Sequence, residues 1–151
     1  MQPFERRALT APERLLGASV FADEIDWPAI HIAQAPLLGF AAMVPLGATI
    51  VFSSWRAPLD FSLVEVAEQG WFIHELGHVW QAARGVALAL AKLGALGARA
   101  YRYAPRPNAE LKHYNIESQA EIVRHLFLAR AHAPDKDAPD QAWLEAIWAR
   151  R

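Results

Sequence analysis

His74-Glu75-Leu76-Gly77-His78, inside the longer run Phe72-Ile73-His74-Glu75-Leu76-Gly77-His78-Val79-Trp80-Gln81, decides how the rest of the chain is read. On a helix, residues four apart lie one turn above each other, so the imidazoles of His74 and His78 can grip one metal ion from the same face. Glu75 stands beside that pair, placed to take a proton from a metal-bound water while the ion polarises a carbonyl. The motif needs a helix around it. Ser62-Leu63-Val64-Glu65 reads as a capping box that opens one, and Arg84-Gly85 supplies its C-terminal stop. Phe72, Leu76, Val79 and Ala83 recur at helical spacing and predict a core-facing stripe.

Catalytic zinc usually takes three protein ligands and keeps one position for water, so a third ligand must be found. The extended pattern that ends in a third histidine fails, because Gln81 stands at its glycine position and Arg84 at its last histidine. The chain has no cysteine, which excludes disulfides and thiolate ligands and leaves a carboxylate or an imidazole from elsewhere. Asn115 predicts the N-cap of a second helix, with Ile116, Ala120, Val123 and Phe127 as its buried stripe. Glu117 and Glu121 lie four apart on one side of it and suit a metal ligand plus a supporting carboxylate. Arg124 is the ion-pair partner of that face if it is instead solvated. His113 and Tyr114, just ahead of this helix, are candidates to donate a hydrogen bond to a transition-state oxyanion. His31, His125 and His132 read as ordinary histidines.

Taken together, these segments resemble the short zinc-peptidase-like domains associated with bacterial contractile injection systems, the core domain of extracellular injection systems, and more closely still the small Vgr-related proteins. The matching pieces are Leu9-Thr10-Ala11-Pro12-Glu13-Arg14 with Phe21, Ile30-His31-Ile32, Gly47-Ala48-Thr49-Ile50-Val51-Phe52, the run from Phe72 to Gln81, and Tyr114 through His125. The resemblance implies an α+β, zincin-like single domain over residues 1–151, mostly helical with a small sheet beside the motif helix. It implies Zn2+ held by His74, His78 and Glu117 in the manner of glutamate-type zincins, with the small Ala120 fitting that pattern and Glu75 as general base. Glu121 would then orient a ligand histidine through its free ring N–H, or replace Glu117 as the ligand.

The activity so implied is that of a zinc-dependent peptidase, hydrolysing peptide bonds through a Glu-activated, zinc-bound water. The other reading is a non-catalytic, zinc-stabilised accessory of a secretion or phage-tail-like assembly. Glu75 separates the two, since a purely structural zinc site has no use for a free carboxylate beside an open coordination position. The partners implied are a peptide or protein substrate and a component of the secretion apparatus.

Composition bounds these expectations. The 151 residues suit one domain, and a net charge of −1 from 15 basic and 16 acidic side chains, with no basic stripe among aromatics, argues against nucleic-acid binding. The N-terminus lacks the apolar core of an export signal, which predicts a cytoplasmic protein or signal-less export through a secretion machine. Ala35 to Trp55 is uncharged, yet Pro36, Gly39, Pro45 and Gly47 interrupt it, so it reads as buried strands and turns rather than a membrane span. Val86 to Gly97, with Lys92 in its middle, reads as a core or lid helix.

Thr10 predicts a cap for a helix from Ala11 to about Phe21. Ala29–Gln34 and Ala48–Ser53 read as short strands, the second as an edge to which extended substrate could add, with an interior strand as the alternative. Tyr101–Pro107 reads as a loop, and about Asp140 to Arg150 as a last helix.

Overall fold

The computed structural model describes residues 5–35, 42–43, 48–52, 57–94 and 97–151. In chain order the elements are β1 (Arg6–Ala8), α1 (Ala11–Phe21), β2 (His31–Gln34), β3 (Ala42–Met43), β4 (Thr49–Phe52), α2 (Val66–Ala83), α3 (Leu88–Leu93), α4 (Ile116–Arg130) and α5 (Gln141–Trp148). This is the α+β arrangement the sequence predicts, helices dominating over one small sheet. The sheet runs β1-β2-β4-β3, with β2 and β4 parallel and both outer strands antiparallel to their neighbours. Period-two alternation sends Ile32 and Gln34 on β2, and Ile50 and Phe52 on β4, to the buried face.

For the second strand the interior alternative is the one observed. The second strand is not a free edge, because β4 lies between β2 and β3 and pairs with β3 at Val51 and Phe52. Its expected end at Ser53, and most of the uncharged run before it, lie outside the described residues. No helix among the described residues is long and apolar enough to cross a membrane.

Thr10 starts α1 as expected. Its hydroxyl accepts the N–H of Glu13 at 3.2 Å, and the Glu13 carboxylate accepts the Thr10 N–H at 2.8 Å, so two otherwise unbonded amides are satisfied reciprocally. Glu13 does more than cap. Fully buried, it takes both ends of the Arg7 guanidinium at 2.7 Å and the Phe61 N–H at 2.8 Å. One carboxylate thus ties β1 and α1 to the turn that precedes the motif helix.

That turn replaces the capping box read at Ser62–Glu65. Residues 61–63 form a single 3-10 turn capped by Asp60, which accepts from both the backbone N–H and the hydroxyl of Ser62. With the Ser62 hydroxyl already committed, α2 begins later, at Val66, with Glu65 in the N-cap position and no side-chain cap bond. The stop at Arg84-Gly85 holds, Gly85 adopting φ +86°, where a side chain would be strained.

Every residue of α2 from Phe72 to Gln81 is buried, so the helix is enclosed on all sides rather than along one stripe. Phe72, Leu76 and Val79 belong to the core as expected, whereas Ala83, at the frayed end, is exposed. Phe72 stacks on Phe61 at 4.7 Å, and Phe61 packs on Phe52 of β4 at 5.0 Å, which docks α2 on the sheet.

α4 packs against α2, and at Gly77 an added Cβ would lie 3.3 Å from both Cα and Cβ of Ala120. The predicted stripe of α4, Ile116, Ala120, Val123 and Phe127, is buried, and Asn115 caps it through the Ser118 N–H at 2.9 Å. α5 closes the molecule, its Trp148 indole donating to Val20 O at 3.2 Å while its ring meets Phe21 and Trp80. The helix expected from Val86 to Gly97 is shorter, six residues with Leu88 buried.

Because Glu13 and Arg7 lose water together, removing one leaves the other's charge uncompensated. Glu13→Ala is expected to lower unfolding free energy by about 3 kcal/mol, read as a shifted denaturant midpoint at unchanged slope.

Candidate metal centre

The crossing of α2 and α4 sets the site. His74 and Glu117 each stand three residues before the crossing residue of their helix, and His78 and Glu121 each stand one after it. Helical geometry therefore turns all four toward the shared seam. His74 Nε2 and His78 Nε2 lie 3.3 and 3.1 Å from the same oxygen, Oε2 of Glu117, and all three residues are buried. Their ligand atoms fall within 4.8 Å of one another.

The outer nitrogens fix how these rings face. His74 Nδ1 donates to Oε2 of Glu121 at 3.1 Å, and His78 Nδ1 donates to Oε1 of Gln81 at 2.8 Å. Gln81 is itself held, its amide donating to Ile116 O at 2.9 Å and Gln119 Oε1 at 3.1 Å. With both Nδ1 atoms bonded outward, Nε2 is the atom each ring turns toward Glu117. Two imidazole nitrogens and a carboxylate oxygen converging in a buried seam are a donor set that could hold a divalent metal ion.

Electrostatics point the same way. Burial pulls the His74 imidazolium down, but its hydrogen bonds to Glu117 and Glu121 and the charge of Glu75 outweigh that and hold its pKa at about 9. The surrounding carboxylates create a strong demand for positive charge. Glu75 is 7% exposed, and its Oε2 is buried without a hydrogen-bond partner among the described residues. An unpaired buried carboxylate oxygen is costly and calls for a partner such as a water or an ion.

Other expectations come out differently. His113 Nδ1 accepts the Glu110 N–H at 3.1 Å, and the Tyr114 hydroxyl donates to Ala104 O at 2.9 Å, so each is engaged in a local loop contact. The aromatic hydroxyl at the site belongs instead to Tyr101. Its ring stacks on His74 at 5.7 Å, it is 40% exposed, and its hydroxyl hydrogen-bonds to Glu117. Partial burial, then the nearby charges of Glu117 and Glu75, push its pKa up to about 12, so it stays a donor. Trp71 flanks His74 on α2 at 5.5 Å. A groove of about 510 Å³ opens beside Tyr101, between the 101–105 segment and the 137–139 turn, with Glu121 and His125 along it.

Gln81 carried a readable signal, standing one turn beyond His78 on the same face. Tyr101 carried none, since it arrives on a loop distant in sequence. Arg124 is buried rather than solvated, and His125 is not an ordinary surface histidine, lying 3.4 Å from Oε1 of Glu121.

Fold and site together define a small α+β domain with a buried cluster able to hold a metal ion. No family model matches the chain. It is 36% identical over 134 residues, 82% of its length, to the type VI secretion system spike protein VgrG2b of Pseudomonas aeruginosa, of which it spans 13%. It also superimposes on the solved effector domain of P. aeruginosa VgrG2b with a TM-score of 0.73 and 34% identity, covering 95% of this chain and 82% of that one. The chain belongs to the VgrG2b effector-domain family. The expected kinship with Vgr-related proteins is thereby borne out.

Two outcomes follow for metal binding. Glu117→Ala is expected to weaken zinc affinity more than Glu121→Ala, which should cost about 10- to 100-fold, both read by competition with a chromogenic chelator. Since the metal displaces the His74 proton, whose pKa is about 9, affinity is expected to rise with pH until about pH 9, with proton release measurable by calorimetry in buffers of different ionisation enthalpy.

Proposed function

We propose that this domain is a zinc-dependent peptidase that acts as an effector delivered by a type VI secretion spike. The observation that carries the reading is Glu75, a buried carboxylate with one unpaired oxygen, next in sequence to one histidine of a metal-ligating trio. His74, His78 and Glu117 would hold the ion. When bound, zinc supplies Lewis-acid chemistry, polarising a carbonyl and bringing the pKa of a water toward neutrality.

The chain's own residues do the rest. Glu75 accepts a proton from the attacking water as the oxygen forms its bond to the amide carbon. Tyr101, kept protonated, turns its single hydroxyl proton from Glu117 to the carbonyl oxygen as that atom gains negative charge. Glu75 then passes its proton to the amide nitrogen, the C–N bond breaks, and an amine and a carboxylic acid leave. Trp71 and Tyr101 shield His74 from bulk water on two sides, which strengthens each of these electrostatic effects. Delivery by a secretion spike is supported by membership of the VgrG2b effector-domain family.

The test is Glu75→Gln, assayed on a peptide library. The variant is expected to bind about one zinc per chain, as the parent does, while hydrolysis falls by roughly 10²- to 10⁴-fold. Zinc retained by both proteins, with neither cleaving any peptide, would leave the structural-accessory reading in its place.

A further inference from the structure

Glu121 has a second oxygen, and what holds it extends the site well beyond the two motif helices. Arg124, one turn further along α4, donates through Nη1 to Oε1 of Glu121 and through Nη2 to Oδ2 of Asp135, the latter at 2.7 Å. Its guanidinium also lies over the Trp71 ring at 5.0 Å, and Trp71 in turn packs on His74. Arg124 is only 8% exposed, and Asp135 stands in the turn that follows α4. His125 Nε2 sits 3.4 Å from both of these carboxylates, with the Tyr103 hydroxyl on its other nitrogen.

Glu121, His125 and Asp135 are spaced closely enough to suggest a second metal site. The Arg124 guanidinium argues against one, since it already stands between the two carboxylates as their cation. Its planar fork satisfies one carboxylate on each arm, a geometry an ammonium cannot reproduce.

We infer that Arg124, fixed by Asp135, is a positioning residue for the metal centre: it locks Glu121 so that the other carboxylate oxygen takes the Nδ1 proton of His74 and leaves Nε2 facing the ion. This rests on the metal reading above and names the residues that set its affinity. Without the fork, Glu121 can swing toward solvent or His125, and His74 loses both its tautomer and its orientation. Partners of ligand histidines commonly change metal affinity by about 10- to 100-fold when removed, and a residue one step further out should act at the lower end of that range.

The test uses the full chain with zinc alone as probe. Arg124→Gln is expected to weaken zinc binding about tenfold in chelator competition, Arg124→Lys to recover part of that loss, and Asp135→Asn to weaken binding in the same direction. Because Arg124 is buried and its removal could unfold the protein, Asp135→Asn, at a half-exposed position, serves as the variant that preserves the fold. The second readout is the ring nitrogen spectrum of His74 in the zinc-loaded protein. It should report Nδ1–H in the parent and a loss or shift of that signal in Arg124→Gln and Asp135→Asn. A purely structural role would lower thermal stability and leave both the affinity and the His74 signal of the folded protein unchanged, and that result would overturn the inference. Failure of the parent to take up zinc would overturn the metal reading itself, and this with it.

Discussion

Contact between Gly77 and Ala120 governs how the molecule is built. A side chain larger than hydrogen at position 77 would press on the Ala120 backbone, so two small residues let α2 and α4 approach closely enough for short acidic and imidazole side chains to meet across the seam. Placed in register around that contact, His74, His78 and Glu117 converge without any loop having to move. The geometry rests on rigid helices, which hold functional groups more accurately than loops do.

Enclosure of α2 follows from the same constraint. A helix that carries two histidines and a glutamate into the core needs apolar packing on its remaining surface and polar partners for each buried group. Phe61 and Phe72 supply the first against the sheet. Glu121 and Gln81 supply the second, one for each imidazole. Glu13, on the far side, does comparable work for the N-terminal part by binding Arg7 and Phe61 at once. Among the described residues, buried carboxylates are neutralised by a guanidinium at Glu13 and at Glu121, and shaped for a cation at Glu117.

Much of this was legible in the chain. That His74 and His78 share one face, and Glu117 and Glu121 another, follows from helical periodicity, because a regular helix converts spacing into direction, whereas the choice of Glu117 over Glu121 came from the resemblance to glutamate-type zincins. The start of α2 was misread because a Ser-x-x-Glu pattern carries no record of Asp60, which captures the serine hydroxyl first. Tyr101 was invisible because its position depends on a loop path rather than on any period. His113 and Tyr114 were near the site in sequence but bonded to their own loop, and local hydrogen bonds of that kind decide orientation before any distant site can. The interior position of β4 depended on its pairing with Ala42 and Met43, a long-range match that a short strand does not announce.

The groove beside Tyr101 has a division of labour built into it. Its walls come from two loops, the 101–105 segment and the 137–139 turn, with Glu121 and His125 of α4 along it, whereas the trio that could hold a metal ion sits on interior helices. Loops tolerate insertion and replacement far better than enclosed helices. Wall residues on these loops can thus change without disturbing the enclosed trio. Asp135 limits that freedom: it is the rivet joining the outer turn to the interior, so diversification of the wall on that side is expected to stop short of it.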